Sequence, residues 1–255
     1  MRANKKLWAA VTVCAAVVAG ATGCSQGGDK ATDPFAGLTA DAIADKAVET
    51  TKASTALHMS GKGKTDGQEM SIDFAVDDKG NCKGSMQSPG GGKADIVGTG
   101  GASYMKADDA FWKSNDGGDE SSDEEGAGIA ALLNGRWMKM TDEGGAGDDG
   151  PAAFCDLKKI ITDMDKDTPR KGLTRDADAD VNGTPAVVLS KKDKDESTTF
   201  YVVKDSAKPY ILRVVTTGGD EPGTIDLSDF DKPVTVSAPP ADQVVDLEEL
   251  MKGMS

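Results

Sequence analysis

The segment that most constrains the fold is Ile72-Asp-Phe-Ala-Val-Asp77, in which Ile72, Phe74 and Val76 alternate with Asp73, Ala75 and Asp77. Period-two alternation of this kind predicts a β-strand with one face buried and one face wet, and a sheet built from such strands is antiparallel. The surrounding sequence continues the pattern. Leu57 and Met59 alternate with polar neighbours, and Asp66-Gly67 is a hairpin signal. Asp78-Lys-Gly-Asn81 carries turn chemistry, and Cys82, Gly84 and Met86 share one face of the next strand. Ala94 to Val97 and Ser103 to Ala107 extend this meander. A second strand set comprises 177–181, 186–190, 198–203, 209–217 and 223–230, with Asn182-Gly183 as the strongest hairpin turn in the chain.

Helical spacing interrupts the strands. Thr39 is a predicted N-cap for an early helix, with Leu38 and Ile43 placed as a hydrophobic staple and Ile43, Ala47 and Val48 forming a narrow apolar stripe. Ile129, Leu132 and Leu133 form a short apolar helix running into a strand at Trp137. Pro151 opens another helix, in which Phe154, Leu157, Ile160, Ile161 and Met164 share one side. Asp246 and Glu249 have capping-box spacing for a last short helix. Strands and helices segregated in this way predict an α+β fold, one antiparallel sheet with helices on one face. The stretches 115–126 and 141–150 are acidic, Gly-rich loops.

Residues 1–24 have a different character. Arg2, Lys5 and Lys6 precede 15 uncharged residues, Leu7 to Ala21, and the run ends Ala21-Thr-Gly-Cys24. This is the organisation of a secretory signal; 15 residues are too few to cross about 30 Å of hydrocarbon. The small residues ahead of Cys24 resemble the lipobox of bacterial lipoproteins, although Ala21 stands where Leu is more usual. That resemblance implies cleavage after Gly23, a diacylglycerol thioether on Cys24, and a domain lipid-anchored on the outer face of the cytoplasmic membrane. Residues 1–23 are then a removed signal peptide and 24–37 a lipidated N-terminus and tether, with Ser25 to Pro34 polar and without periodicity. Residues 38–255 form a single domain.

Charge and cysteine usage agree with export. Without Arg2, Lys5 and Lys6 the chain carries 26 basic and 43 acidic groups, a net charge of −17 that disfavours nucleic acid and anionic headgroups. Once Cys14 is removed and Cys24 lipidated, Cys82 and Cys155 remain, an even pair in an oxidising compartment that predicts one disulfide.

Catalytic and metal motifs fail on inspection. Asp178-Ala-Asp-Val-Asn-Gly183 begins like a calcium loop, but Leu189 stands where the bidentate Glu belongs and Ala186 occupies another ligand position. Ser103-Tyr-Met-Lys106 is a Ser-x-x-Lys match lying on a predicted strand, which sends the two side chains to opposite faces. His58 is the only histidine and gives Ser-His or Cys-His catalysis little support. The acidic loops could hold paired carboxylates for glycoside chemistry, but 12 aromatics in 255 residues are few for a sugar cleft. No enzyme, metal or cofactor is expected.

The order of features resembles the LppX/LprG-type lipoproteins of Gram-positive actinobacteria, related in architecture to LolA/LolB lipid carriers. It rests on the lipobox and tether, the early helix, and Trp137-Met-Lys in mid-chain. Asp180-Val-Asn-Gly183, Phe200-Tyr-Val-Val-Lys-Asp205, Lys208-Pro-Tyr-Ile-Leu-Arg213, Ile225-Asp-Leu-Ser-Asp-Phe230 and Pro239-Pro240 complete it. The resemblance implies a strongly curved antiparallel half-barrel with helices packed on its concave face, and an acyl chain held between. Ile129, Leu132, Leu133, Trp137, Phe154, Leu157, Ile161 and Met164 are the cavity residues it points to. The partners implied are the membrane and an apolar ligand, with the domain a monomer. The alternative is a structural or interaction module of the cell envelope in which those residues are plain core. Few large apolar residues and a disulfide restricting helix movement argue for a small or filled cavity.

Overall fold

The computed structural model describes residues 33–65, 67–114, 132–140 and 151–246. The signal segment, Cys24, Ile129 and both acidic loops lie outside these residues. Pro34–Ser255 forms one compact unit.

Helix α1 (Ala40–Lys52) starts where Thr39 Oγ1 accepts the Ala42 N–H at 3.2 Å, the expected N-cap. The staple is not formed as expected. Leu38 is 39% exposed, and Phe35, overlooked in the sequence, is buried at 1% instead. Ile43, Ala44, Ala47, Val48 and Thr51 make the buried stripe of α1.

The sheet begins with a five-stranded meander: β1 (Ala56–Thr65), β2 (Gln68–Asp77), β3 (Cys82–Ser88), β4 (Gly92–Thr99) and β5 (Ala102–Ala107). Asp77 closes the β2–β3 turn. Its Oδ1 accepts from the Lys79 and Asn81 backbone N–H groups at 3.0 and 2.9 Å, and Asn81 Nδ2 donates to its Oδ2 at 3.0 Å. A short helix α2 (Asp109–Ser114) and β6 (Trp137–Met140) follow. Pro151–Cys155 is a 3₁₀ segment rather than the first turns of an α-helix. The α-helix proper, α3 (Leu157–Asp167), begins only after Asp156, whose side chain accepts the Lys159 N–H.

The second strand set is β7 (Thr174–Arg175), β8 (Ala179–Val181), β9 (Thr184–Asp193), β10 (Glu196–Val203), β11 (Ile211–Gly218) and β12 (Gly223–Ser228), and the last strand is β13 (Val244–Asp246). Asn182 (φ 52) and Gly183 (φ 85) form the two-residue turn between β8 and β9, as a type I′ hairpin requires. Asp246 belongs to β13, where Lys139 donates to it at 2.8 Å. The last short helix expected after Asp246, with Glu249, lies outside the described residues.

Among the described residues all strands join one sheet of 13, in the order β13-β6-β5-β4-β3-β2-β1-β12-β11-β10-β9-β7, with β8 also paired to β9. Every pairing is antiparallel except β13 with β6. The expected α+β class and open, curled, mostly antiparallel sheet are what the structure has. The two strand sets meet at the β1–β12 seam. There Gly63 and Gly223 face one another, and a Cβ on Gly223 would stand 3.0 Å from the Gly63 Cα. Removing side chains at this point lets the two strands approach closely.

Candidate functional site

Register assigns each side chain to a face. The inner face carries a fully covered row that runs Leu227-Met59-Phe74-Gly84-Ile96-Met105 across β12, β1, β2, β3, β4 and β5. Its five larger side chains are all buried. The 3₁₀ segment Pro151–Cys155 packs on β2 to β5 of this row, and helix α1 packs against β11 and β7, tied to the sheet by the Ile211 N–H donating to Thr51 Oγ1 at 3.1 Å. The Phe154 ring stacks on Phe74, centroids 4.8 Å apart. Cys155 is disulfide-bonded to Cys82, with Cα atoms 5.1 Å apart. The bridge fits because Gly98, the cross-strand partner of Cys82, has no side chain; a Cβ there would stand 2.7 Å from Cys155 Sγ.

Helix α3 is clamped to α1 by charge. Asp165 accepts from Lys52 at 3.0 Å and from Arg170, which also reaches Asp45 and Glu49. The hydrogen bonds from Arg170 and then Lys52 hold the Asp165 carboxyl below the usual carboxylate range.

Two residues further along each strand, towards the hairpin ends at 65–68 and 218–223, the covering changes. The next inner-face row is Val214-Ile225-Gly61-Ile72-Met86-Ala94, from β11 to β4. Val214, Ile225, Ile72 and Met86 are only half-buried, although they border the same core. A cavity of about 220 Å³ opens over this strip, floored by Ile72, Val214 and Ile225 and rimmed by Met70, Thr216 and Pro222. It is mostly apolar, with Lys62, Lys64, Thr65 and Glu221 also in its lining, and it lies on the concave side.

Of the cavity residues expected from the sequence, Leu133, Leu157 and Ile161 are buried core, and Leu132, Phe154 and Met164 are half-buried. None of these six lines the cavity over the strip. Trp137 is corrected in position: Met138 and Met140 pack on the core, so strand alternation puts Trp137 on the opposite, outer face. The strip residues were missed because their alternation is that of any inward-facing strand. Only the pairing of β1 with β12, distant in sequence, brings Ile72 and Ile225 together through Gly61.

The outer face holds a wider, open depression of about 710 Å³ lined by Ser60, Ser71, Asp73, Ser85 and Asp226 among others. Although larger, it is open and shallow, on the solvated side of the sheet, with Ile72, Val215 and Pro222 among its polar side chains. His58 stands beside it, its Nε2 3.0 Å from Asp73 Oδ1 and its Nδ1 3.2 Å from Ser228 Oγ. This Ser-His-Asp contact set was not expected from sequence. The three residues sit on paired central strands whose ladder uses the nearby backbone N–H groups, whereas acyl-transfer chemistry needs free donors aimed at an oxyanion. Ser103 and Lys106 lie three apart on β5, on opposite faces. Asp178 pairs with Lys204 at 2.6 Å and with Arg175, and Asp180 accepts the Gly183 N–H, so the calcium-like stretch is a hairpin. Among the described residues no three His, Cys, Asp or Glu side chains gather to hold a metal ion. Among them, too, no helix is long and apolar enough to cross a membrane.

A curled antiparallel sheet with helices on its concave side, and an apolar strip left open at one end, defines a class of half-barrel folds. Within it, the crystal structure of LprF from Mycobacterium bovis is similar over 79% of this chain and 97% of that one, at 16% identity and a TM-score of 0.50. That of the Mycobacterium tuberculosis lipoprotein LppX covers 78% of this chain and 98% of that one, at 13% identity and a TM-score of 0.47. No protein-family model matches the chain, and no curated protein does. The resemblance read from the order of elements therefore holds at the level of fold.

Proposed function

We propose that this protein is an exported lipoprotein that holds the acyl part of an apolar ligand against the open end of its concave face. In this reading the signal segment directs export, Cys24 carries the lipid that tethers the domain to the outer face of the cytoplasmic membrane, and the monomeric domain works as a carrier or sensor. The observation that supports ligand binding is the half-buried row Val214, Ile225, Ile72 and Met86, apolar side chains left uncovered beside a core that is otherwise closed. A row of this kind gains from any apolar chain laid along it, at roughly 25 cal/mol per Å² removed from water.

The test is saturable binding of a fluorescent acyl probe to the mature protein. Ile72→Trp, which fills the strip where it is already open, should weaken binding at least tenfold and leave the urea midpoint unchanged. A wild-type protein with no saturable probe binding would favour the envelope structural module instead. The anchor is tested separately: Cys24→Ala should lose lipid labelling and appear in the medium or remain unprocessed.

A further inference from the structure

We infer that Asn134 is a site of spontaneous deamidation, and that the isoaspartate formed there loosens the edge of the sheet at β6. The chain contains two Asn-Gly dipeptides, Asn134-Gly135 and Asn182-Gly183. Both asparagines are exposed, and Gly135 and Gly183 both have positive φ, 71° and 85°. A glycine after asparagine leaves its backbone nitrogen unshielded by a side chain. By sequence the two sites are equivalent, and the structure separates them.

The nucleophile is the glycine nitrogen. Solvent hydroxide takes its N–H proton, and the nitrogen attacks the asparagine Cγ. A new C–N bond closes a five-membered succinimide while the Cγ–Nδ2 bond breaks. The side-chain nitrogen leaves as ammonia, taking a proton from water. Water then opens the ring at either carbonyl to give aspartate or isoaspartate. The rate depends on how readily the N–H proton is lost and how freely the backbone turns to bring nitrogen over Cγ.

Both are opposed at Asn182. The Gly183 N–H donates to Asp180 Oδ1 at 2.6 Å, and a carboxylate in that position keeps the proton on nitrogen. The two-residue turn is also pinned by the β8–β9 ladder, with Val181 opposite Thr184 and Asp180 opposite Pro185. At Asn134 neither restraint is present. The Gly135 N–H makes no hydrogen bond to a described residue, and the turn is spanned by the Arg136 N–H donating to the Leu133 carbonyl at 2.9 Å. Arg136 follows directly in sequence, and its positive charge favours an amide anion instead of opposing it.

The position of Asn134 gives the change a consequence. On one side Leu133 is fully buried, and on the other β6 begins at Trp137. Isoaspartate routes the main chain through the side-chain methylene, so it lengthens the link between that fixed core residue and the strand and adds a negative charge. Strand β6 spans four residues, pairs with β5, and holds β13 through Val244, Val245 and Asp246. The added backbone length displaces this short strand against its partners, and the edge loosens as the protein ages.

The mature protein is aged at mildly alkaline pH and mapped by peptide mass spectrometry with electron-transfer fragmentation, which separates isoaspartate from aspartate. Asn134 should convert, with isoaspartate the larger product, and Asn182 should convert roughly ten- to hundredfold more slowly, the equivalent of one charge-assisted hydrogen bond. In guanidinium the two should convert at similar rates, because the fold alone distinguishes them. Asp180→Ala should quicken Asn182 and leave Asn134 unchanged; if that variant does not fold, the guanidinium comparison decides. Equal conversion of the two in the folded protein, or an Asn134 that stays amidated there, overturns the site. Amide exchange at Met138 and Val245 should quicken in the converted protein and not in Asn134→Asp, which carries the charge without the longer backbone. Unchanged exchange after conversion, or equal quickening in Asn134→Asp, overturns the loosening of β6.

Discussion

The two ends of the concave face are made by the same central strands and treat their inward side chains in opposite ways. At the closed end Leu57, Met59, Phe74, Val76 and Ile96 are fully covered by α1, the 3₁₀ segment and the Cys82–Cys155 bridge. At the hairpin end Ile72, Met86, Val214 and Ile225 are half covered, and Gly61, Gly63 and Gly223 offer no side chain. The comparison teaches that a curved sheet can supply a core and a groove from one alternating pattern. What separates them is how far the covering helices reach and where cross-links hold them.

The largest effect should fall at the closed end. Phe74→Ala removes a ring packed between sheet and Phe154, and should cost about 3–5 kcal/mol in urea unfolding; a loss near that of a surface substitution would erase the distinction between the ends. Replacing both Cys82 and Cys155 by Ala should cost about 2–4 kcal/mol, because the bridge closes a loop of 73 residues. Before that, intact mass without reductant should show neither cysteine alkylated by iodoacetamide in denaturant. Leu133→Trp overpacks a fully buried site and should destabilise by roughly 1–3 kcal/mol, in contrast to Ile72→Trp at the open end.

The smallest effect concerns acid. Because Arg170 and Lys52 hold the Asp165 carboxyl below its usual range, the α1–α3 clamp contributes fully above the ordinary carboxylate pKa of about 3.9. That contribution is lost as pH falls through the lowered folded-state value. Asp165→Asn should therefore be less stable than wild type at neutral pH, and the two should converge as pH falls through the lowered folded-state value, as followed by thermal unfolding.

Much of this architecture is legible in the sequence, and the rest is absent for physical reasons. The alternation of β2, the Asn182-Gly183 turn, the Thr39 cap and the cysteine pair act locally, so local pattern reveals them. Helix α2 spans six residues and opens on Asp109, too short to show a helical period. Phe35 lies outside any periodic run, yet its burial fixes the approach to α1. The open strip was the least accessible, since Ile72 and Phe74 look equivalent along β2 and differ only in what the helices cover.

The most direct measurement of the central claim is methyl NMR of the mature protein with a spin-labelled acyl ester. The account predicts that methyl signals of Ile72, Ile225, Val214 and Met86 broaden on addition of the probe, while those of Ile43, Leu57 and Leu189 at the closed end do not. Broadening confined to the closed-end methyls, or no selective broadening at saturating probe, would contradict it.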